Sequence, residues 1–255
     1  MPTLSAVLIV KNEGAALADC LQTLTWADEL VVLDAGSTDN TVEIARRFTD
    51  KVYVNAEWPG FGPQRQRAQS YAGGDWILMV DADERVTPEL RKTVESAVQA
   101  DDQNCVYAVP RLSWVFGRFI RHSGWYPDYV IRLYPRSKAG YGDEMVHEKV
   151  HYPDSMRLVN LKGDLLHYTY RDLEHYLVKS AGYAAAWAQQ RQAKGKRSSL
   201  LQGFVHGVAC FLKMYIFRLG FLDGRQGLLL AMLSAHSTFV KYADLWIRRQ
   251  EQPSE

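Results

Sequence analysis

The chain has 255 residues, of which 47% are hydrophobic, 23% charged and 12% aromatic; this globular composition excludes a disordered, collagen-like or low-complexity protein. At this length about 70–75% of the unfolded chain's surface can be buried, so a large core forms without staples. Cys20, Cys105 and Cys210, far apart and odd in number, provide neither a disulfide framework nor zinc-ligand spacing, and a reducing compartment is expected. The net charge of +1 hides an asymmetry: residues 194–249 hold nine Lys and Arg against two acids, a net +7 that leaves −6 for the remainder. The start, Met-Pro-Thr-Leu-Ser, lacks a basic region followed by an apolar one, so secretion is not expected.

Leu4–Val10 is a continuous apolar run bounded by Lys11-Asn12-Glu13-Gly14, the pattern of a strand covered on both faces. Leu17, Cys20, Leu21 and Leu24 then recur at helical spacing. Residues 30–33 form a second apolar run ending in Asp34-Ala35-Gly36-Ser37-Thr38-Asp39, and Val42, Ile44, Ala45 and Phe48 mark a second short helix. Residues 52–54 predict a weak third strand, and residues 76–80 a fourth that runs directly into Asp81-Ala82-Asp83-Glu84. Thr87 followed by Pro88 predicts an N-cap with a first-turn proline, opening a helix to about Ala100. Between 105 and 170 the pattern changes to aromatic-rich, alternating segments at 106–109, 129–134, 149–152 and 165–168, which predict a mixed extension of the sheet. Residues 172–192 are helical in pattern, and 193–199 form a small basic linker.

Strands alternating with helices predict right-handed βαβ units and a mostly parallel sheet, in which ligands bind beyond the carboxyl ends of the strands. Three polar clusters lie at such ends: Lys11-Asn12-Glu13, the residues from Asp34 to Asp39, and those from Asp81 to Glu84. Each alone is ordinary for a strand-to-helix loop; three on one sheet edge point to a ligand site. Asp81 and Asp83 fall on one side of an extended chain. Mg²⁺ takes one or two carboxylates plus substrate phosphates, so this spacing suits a metal held against a diphosphate. A phosphatase of the Asp-x-Asp-x-Thr type would need Thr where Arg85 stands, and a dinucleotide oxidoreductase would need G-x-G-x-x-G where Lys11-Asn12-Glu13-Gly14 stands. A sugar nucleotidyltransferase shares the sheet and the metal carboxylates but would carry a Gly-rich basic loop after its first strand. A non-catalytic sugar-nucleotide-binding scaffold at a membrane is the non-enzyme alternative. Gln64, Arg65 and Arg67, after Trp58-Pro59-Gly60-Phe61-Gly62-Pro63, are donor-loop candidates because guanidinium groups pair bidentately with phosphate; a solvated helix face is the plainer reading of the same residues.

Leu8-Ile9-Val10-Lys11-Asn12-Glu13, Asp34-Ala35-Gly36-Ser37-Thr38-Asp39-Asn40-Thr41 and Trp76-Ile77-Leu78-Met79-Val80-Asp81-Ala82-Asp83-Glu84, in that order, resemble the family-2 inverting glycosyltransferases of the GT-A fold. The runs His122-Ser123-Gly124-Trp125-Tyr126-Pro127-Asp128, Met145-Val146-His147-Glu148 and Phe217-Arg218-Leu219-Gly220-Phe221-Leu222-Asp223-Gly224-Arg225 narrow the resemblance to lipopolysaccharide core glycosyltransferases that add a β-linked glucose to inner-core heptose. It implies an α/β, Rossmann-like, mostly parallel sheet with a mixed extension. The catalytic domain would occupy residues 1–192, with a nucleotide-sugar half over 1–100 and an acceptor half over 101–192, ahead of a basic amphipathic helical region over 193–255. Asp34 and Asp81 would contact the nucleotide of a UDP-sugar donor, in a site completed by Lys11, Asn12, Glu13, Gly36, Gln64 and Arg67. Ala35 stands where many relatives carry a second acid that reads the base, so another nucleotide stays open. Asp83, with Asp81 and a late histidine, His167, would bind Mg²⁺ or Mn²⁺. In this mechanism the metal offsets charge on the departing diphosphate while a carboxylate deprotonates the acceptor hydroxyl; in-line attack turns an α-linked donor into a β-linked product. Glu148 follows the mixed-sheet region where relatives place their catalytic acid and is the first choice of base; Asp128, beside Trp125 and Tyr126, is second and Asp143 third.

The two longest uncharged runs near the C-terminus, 198–212 and 227–240, fall short of the ~20 residues needed to cross a bilayer. Lys213, Arg218, Arg225 and Lys241 interrupt a segment rich in Leu, Phe, Met and Tyr, the composition of helices that lie in a membrane interface and are drawn to anionic lipid. A dimer interface or a helix packed on the catalytic domain is the alternative. No recognised nucleic-acid-binding motif accompanies the charge, so no nucleic-acid partner is expected. With a lipid-linked oligosaccharide acceptor, the expected location is peripheral on the cytoplasmic face of a bacterial inner membrane.

Overall fold

A computed structural model of the chain describes residues 1–144 and 148–250. In chain order the strands and helices begin β1 (Leu4–Val10), α1 (Leu17–Gln22), β2 (Glu29–Asp34), α2 (Thr41–Arg46), β3 (Val52–Val54) and α3 (Phe61–Ser70). They continue with β4 (Trp76–Met79), β5 (Glu84–Val86), α4 (Pro88–Ala100), β6 (Cys105–Val115), β7 (Arg118–Phe119) and β8 (Asp128–Pro135). The rest are β9 (Gly140–Tyr141), β10 (Val150–His151), β11 (Arg157–Asn160), β12 (Leu165–His167), α5 (Leu173–Ala193), α6 (Leu200–Leu212) and α7 (Gly224–Gln250). Two compact units result: residues 1–111 with 128–167, and residues 112–127 with the chain from 168 onward. The second unit therefore takes in α5, which the sequence reading grouped with the acceptor half.

In the first unit the large sheet follows the order β3-β2-β1-β4-β8-β6-β12-β5, with β11 alongside β6. Its β3-β2-β1-β4 part is parallel, while β8 joins β4 and β6 antiparallel. The mostly parallel start and the mixed extension are thus both present. Because side chains alternate across a strand, each apolar run supplies two cores. Leu4, Ala6, Leu8 and Val10, with Val32, Trp76 and Leu78, pack under Leu17, Leu21, Leu90 and Val94. Val7, Ile9, Val31, Leu33, Ile77 and Met79 pack on the opposite face with Ala68 and Ala72. Burying each large aliphatic side chain contributes about 1.5–3 kcal/mol, so the sheet edge that carries the polar clusters is a rigid one. Thr87 caps α4 as its sequence predicts, its Oγ1 accepting from Leu90 N at 3.3 Å.

The strands β5, β9 and β11 escape the sequence pattern. β5 begins at Glu84, within what reads as a loop, and β12 pairs it antiparallel with His167 opposite Glu84. The segment at 149–152 forms only the short β10, which pairs with β9 in a hairpin of its own. That hairpin is pinned to α3 along one helix face. Gly62 N donates to Glu144 O at 3.1 Å, Gln66 Nε2 to Tyr141 O at 2.6 Å, and Gln69 Nε2 to Ala139 O at 3.2 Å.

In the second unit, the end of β6 pairs with β7, Trp114 opposite Phe119. Asp223 is buried and accepts from the backbone N–H groups of Arg121 at 3.2 Å and His122 at 2.9 Å. Asp172 caps α5 by accepting from His175 N at 2.7 Å, and α7 packs against both α5 and α6. The helix of α6 continues without a break through a π-turn over Lys213–Phe217. Its stretch Leu200–Phe217 is 18 residues long, and by length and composition it is apolar enough to cross a membrane. That corrects the sequence reading, which ended the run at the charge of Lys213 although the helix carries this residue within it.

The approach of α3 to the hairpin has a measurable consequence at Gly62, where an added Cβ would lie 2.3 Å from Gly142 O and 2.6 Å from Glu144 O. Both are backbone atoms, so Gly62→Ala forces α3 and the hairpin apart. Overpacking of this kind costs about 1–3 kcal/mol, and the denaturant midpoint is expected to fall accordingly; an unchanged midpoint would show that the contact yields freely.

Candidate active site

The loops after β1 and β2 are laced to each other. Asn12 Oδ1 accepts from Thr38 N at 2.8 Å, Ser37 Oγ from Asn12 N at 2.8 Å, and Thr41 Oγ1 from Glu13 N at 2.8 Å. Asp34 is buried, and its carboxylate accepts from Gly36 N and Ser37 N, both at 2.8 Å, and from the Ser37 hydroxyl. In this arrangement Asp34 shapes the loop from within, and Lys11 and Asn12 are the residues exposed at the strand end. Gly36, at φ +82°, turns the chain where a Cβ would lie 3.0 Å from that of Ala56.

A chain of buried charge begins at the end of β4. Arg65, one turn into α3, donates from Nη2 to Asp81 Oδ1 at 2.7 Å and from Nε to Glu148 Oε1 at 3.1 Å. Arg132, in the middle of β8, donates from Nη2 to Asp81 Oδ2 at 2.5 Å and to Glu84 Oε1 at 2.6 Å. Burial raises the Asp81 carboxyl, but the Arg132 and Arg65 guanidiniums outweigh it and hold Asp81 well below the usual carboxylate range. At Glu84, which has no exposed surface, burial prevails over Arg132 and pushes the carboxyl up. Arg65, Arg132, Asp81 and Glu148 line a cavity of about 410 Å³ with Arg111, Lys149, Tyr141 and Tyr152. The Arg65 guanidinium carbon also lies 5.1 Å from the centre of the Tyr141 ring, a cation–π distance.

Asp83 stands on the other side of the same turn. Its Oδ2 lies 3.3 Å from His167 Nε2, a residue 84 positions later brought there by the pairing of β12 with β5. The two offer one oxygen and one nitrogen ligand, a donor set suited to Mg²⁺ or Mn²⁺ when substrate phosphates complete the sphere. Asp81 is bonded through one oxygen to Arg65 and through the other to Arg132. Of the ligand set that the resemblance implies, Asp83 and His167 are in contact, and no group of three metal-ligating side chains occurs among the described residues.

The remaining candidates separate. Asp128 Oδ2 accepts from Arg111 Nε at 3.0 Å and Nη2 at 2.6 Å, outside the residues that line the cavity. Asp143 is exposed. Gln64 is buried and Arg67 bonds to Glu57 O at 3.2 Å and the Glu57 carboxylate at 3.1 Å, whereas Arg65 is the α3 residue in the charge chain. The solvated-face reading therefore fails for Gln64 and Arg65. The sequence reading missed Arg111 and Arg132. Arg132 had a signal, a lone charge in the apolar run Val130-Ile131-Arg132-Leu133-Tyr134, since a charge inside a buried strand requires a partner. Met145, Val146 and His147 lie outside the described residues.

Several known proteins resemble this chain. It is 28% identical to the lipopolysaccharide core biosynthesis glycosyltransferase LpsC of Rhizobium meliloti, across 94% of this chain and 93% of that protein. An uncharacterised glycosyltransferase of Rickettsia typhi is 28% identical across 96% of this chain and 87% of its own length. Among solved structures, S. aureus TarS 1-349 in complex with UDP aligns with a TM-score of 0.49 at 16% identity, covering 99% of this chain and 93% of that one. Glucosyl-3-phosphoglycerate synthase from Mycobacterium tuberculosis in complex with Mn²⁺ and UDP-glucose aligns with a TM-score of 0.47 at 19% identity, covering 78% and 81%. The family model described as Glycosyl transferase family 2 matches residues 5–161, more than half of the chain, and the chain belongs to that family of glycosyltransferases.

Proposed function

We propose that this glycosyltransferase moves glucose from UDP-glucose, with inversion, to a heptose of a lipopolysaccharide core or a similar lipid-linked glycan acceptor. The observation that carries the reading is the Arg65 bridge, through which Asp81 at the donor end of β4 and Glu148 share one cavity. The likeness to LpsC over nearly the whole chain supports the acceptor class. Family membership sets the nucleotidyltransferase alternative aside.

In this reading Lys11, Asn12, Glu13 and Gly36 surround the nucleotide, and Asp34 holds their loop in shape. Gln64 and Arg67 lie toward the diphosphate with Asp81. Gln64 Nε2, Arg65 Nη1 and Arg132 Nε are buried donors without a hydrogen-bond partner among the described residues. Leaving such a donor unsatisfied costs about 1–3 kcal/mol, which a substrate oxygen would offset. Asp83 and His167 would hold Mg²⁺ or Mn²⁺, a cation that supplies charge neutralisation to the departing diphosphate when bound. Glu148 accepts the proton of the acceptor hydroxyl as the new bond forms, and Arg65 orients its carboxylate. Tyr141 and Tyr152 give the cavity the aromatic walls that sugar rings stack on. The basic C-terminal region supports peripheral attachment to an anionic membrane surface on the cytoplasmic side of the inner membrane.

Glu148→Gln keeps the shape of the side chain but cannot take the proton. A positioned base contributes typically 10²–10⁴-fold, so turnover is expected to fall by at least about a hundredfold with donor affinity little changed. Asp128→Asn is the control, and a large loss there with Glu148→Gln near wild type would transfer the role to Asp128. Asp83→Ala is expected to abolish transfer while the thermal midpoint stays put, and EDTA to inactivate the wild type until Mn²⁺ or Mg²⁺ is restored. Full activity of Asp83→Ala in chelator would remove the metal from the reaction.

A further inference from the structure

We infer that α6 lies in the plane of the membrane with one face in the acyl region, so that apolar insertion holds the protein on the bilayer even where salt screens its charges. This rests on the membrane reading above and deepens it, since it names the surface in contact and replaces a purely electrostatic attachment.

Successive residues of an α-helix turn by about 100°, which divides α6 into three sectors. Gly203 and Gly207 face inward, where their missing side chains let α7 approach: a Cβ on Gly203 would lie 3.0 Å from Tyr242 Cβ, and one on Gly207 3.1 Å from Ala235 O. Leu201, Phe204, Val205, Val208 and Leu212 form a continuous stripe on the outer side, and all five are exposed, Leu201 to 72% and Phe204 to 60%. Gln202, His206 and Lys213 fall together along one edge of that stripe, with the His206 ring stacked on Tyr242 of α7 at 4.6 Å. Ile216, in the π-turn and 48% exposed, falls on the same side, and Phe217, Phe221 and Leu222 just beyond are exposed as well.

An apolar band with a polar strip along its edge suits a helix lying at the boundary between headgroups and acyl chains. A spanning helix would instead carry Gln202, His206 and Lys213 into the hydrocarbon, where polar and charged side chains are costly. Charge decides between a bilayer and a second copy of the chain as the occupant. Lys213, Arg218 and Arg225 are all exposed and flank the stripe. Two copies meeting there would bring these cations toward one another, an arrangement that like-charge repulsion opposes, whereas anionic headgroups neutralise them.

The test uses the full-length protein and vesicles of phosphatidylethanolamine mixed with phosphatidylglycerol, read by co-sedimentation. At about 1 M NaCl the screening length is roughly 3 Å, and the wild type is expected to stay bound. The variant Leu201→Gln, Val205→Gln, Val208→Gln is expected to partition at least about tenfold more weakly at low salt, with its helix content and thermal midpoint unchanged. The variant Lys213→Gln, Arg218→Gln, Arg225→Gln is expected to keep the salt-resistant fraction. Release of the wild type by high salt, or equal binding by the Leu201 triple variant, overturns insertion and leaves the electrostatic reading standing. If the Leu201 triple variant instead turns a dimer into a monomer without vesicles while its vesicle binding is unaltered, the stripe belongs to a second copy and the inference is wrong. Wild type that ignores vesicles at low salt defeats both membrane readings, an outcome separate from any assay of glycosyl transfer.

Discussion

A guanidinium buried between two carboxylates governs the arrangement of this site. Arg65 is 4% exposed, and removing such a charge from water is costly unless geometry and hydrogen bonds compensate it. Its two partners come from distant parts of the chain, Asp81 from the end of β4 and Glu148 from the segment entering β10. Satisfying Arg65 therefore requires α3, the end of β4 and the β9–β10 hairpin to meet. The contacts of Gly62, Gln66 and Gln69 along the same helix face hold that meeting in place. Arg132 repeats the device one strand away, tying Asp81 to Glu84.

The carboxylates of the same turn face different surroundings. Asp81 is committed to arginines and Asp83 is paired with a histidine that only the β5–β12 pairing brings near. The chain is not extended here as the sequence pattern suggests: it turns at Ala82 and Asp83, with Glu84 N donating to Asp81 O at 2.9 Å, and so one Asp-x-Asp stretch borders both the cavity and the candidate cation pair. The double-sided core beneath β1, β2 and β4 holds the strand ends that carry the polar clusters on one edge.

What the sequence disclosed follows the range of its signals. Strands buried on both faces announce themselves as unbroken apolar runs, and β1, β2 and β4 were legible for that reason, as was the capped start of α4. The polar clusters at the strand ends were legible as an edge, and the order of motifs singled out Glu148. The partners of these residues were not. Arg111 and Arg132 earn their places through an antiparallel pairing of β6 with β8, which no local pattern encodes. That the Asp34 carboxylate also accepts from its own loop at Gly36 and Ser37 was not legible, since a local turn contact and a ligand contact use the same residue type. The uncharged run 198–212 ends at Lys213, although that charge does not interrupt the helix, which continues through the π-turn to Phe217.

The central claim is that Arg65 makes Asp81 and Glu148 act as one unit, and a double-mutant cycle on turnover tests it most directly. The single variants Arg65→Met and Glu148→Gln and their combination would be compared under saturating donor and acceptor. Groups in one hydrogen-bonded network couple by about 0.5–3 kcal/mol, so the double variant is expected to be little slower than Glu148→Gln alone. Losses that simply multiply would contradict the account, since they would mean that Arg65 and Glu148 contribute to turnover independently.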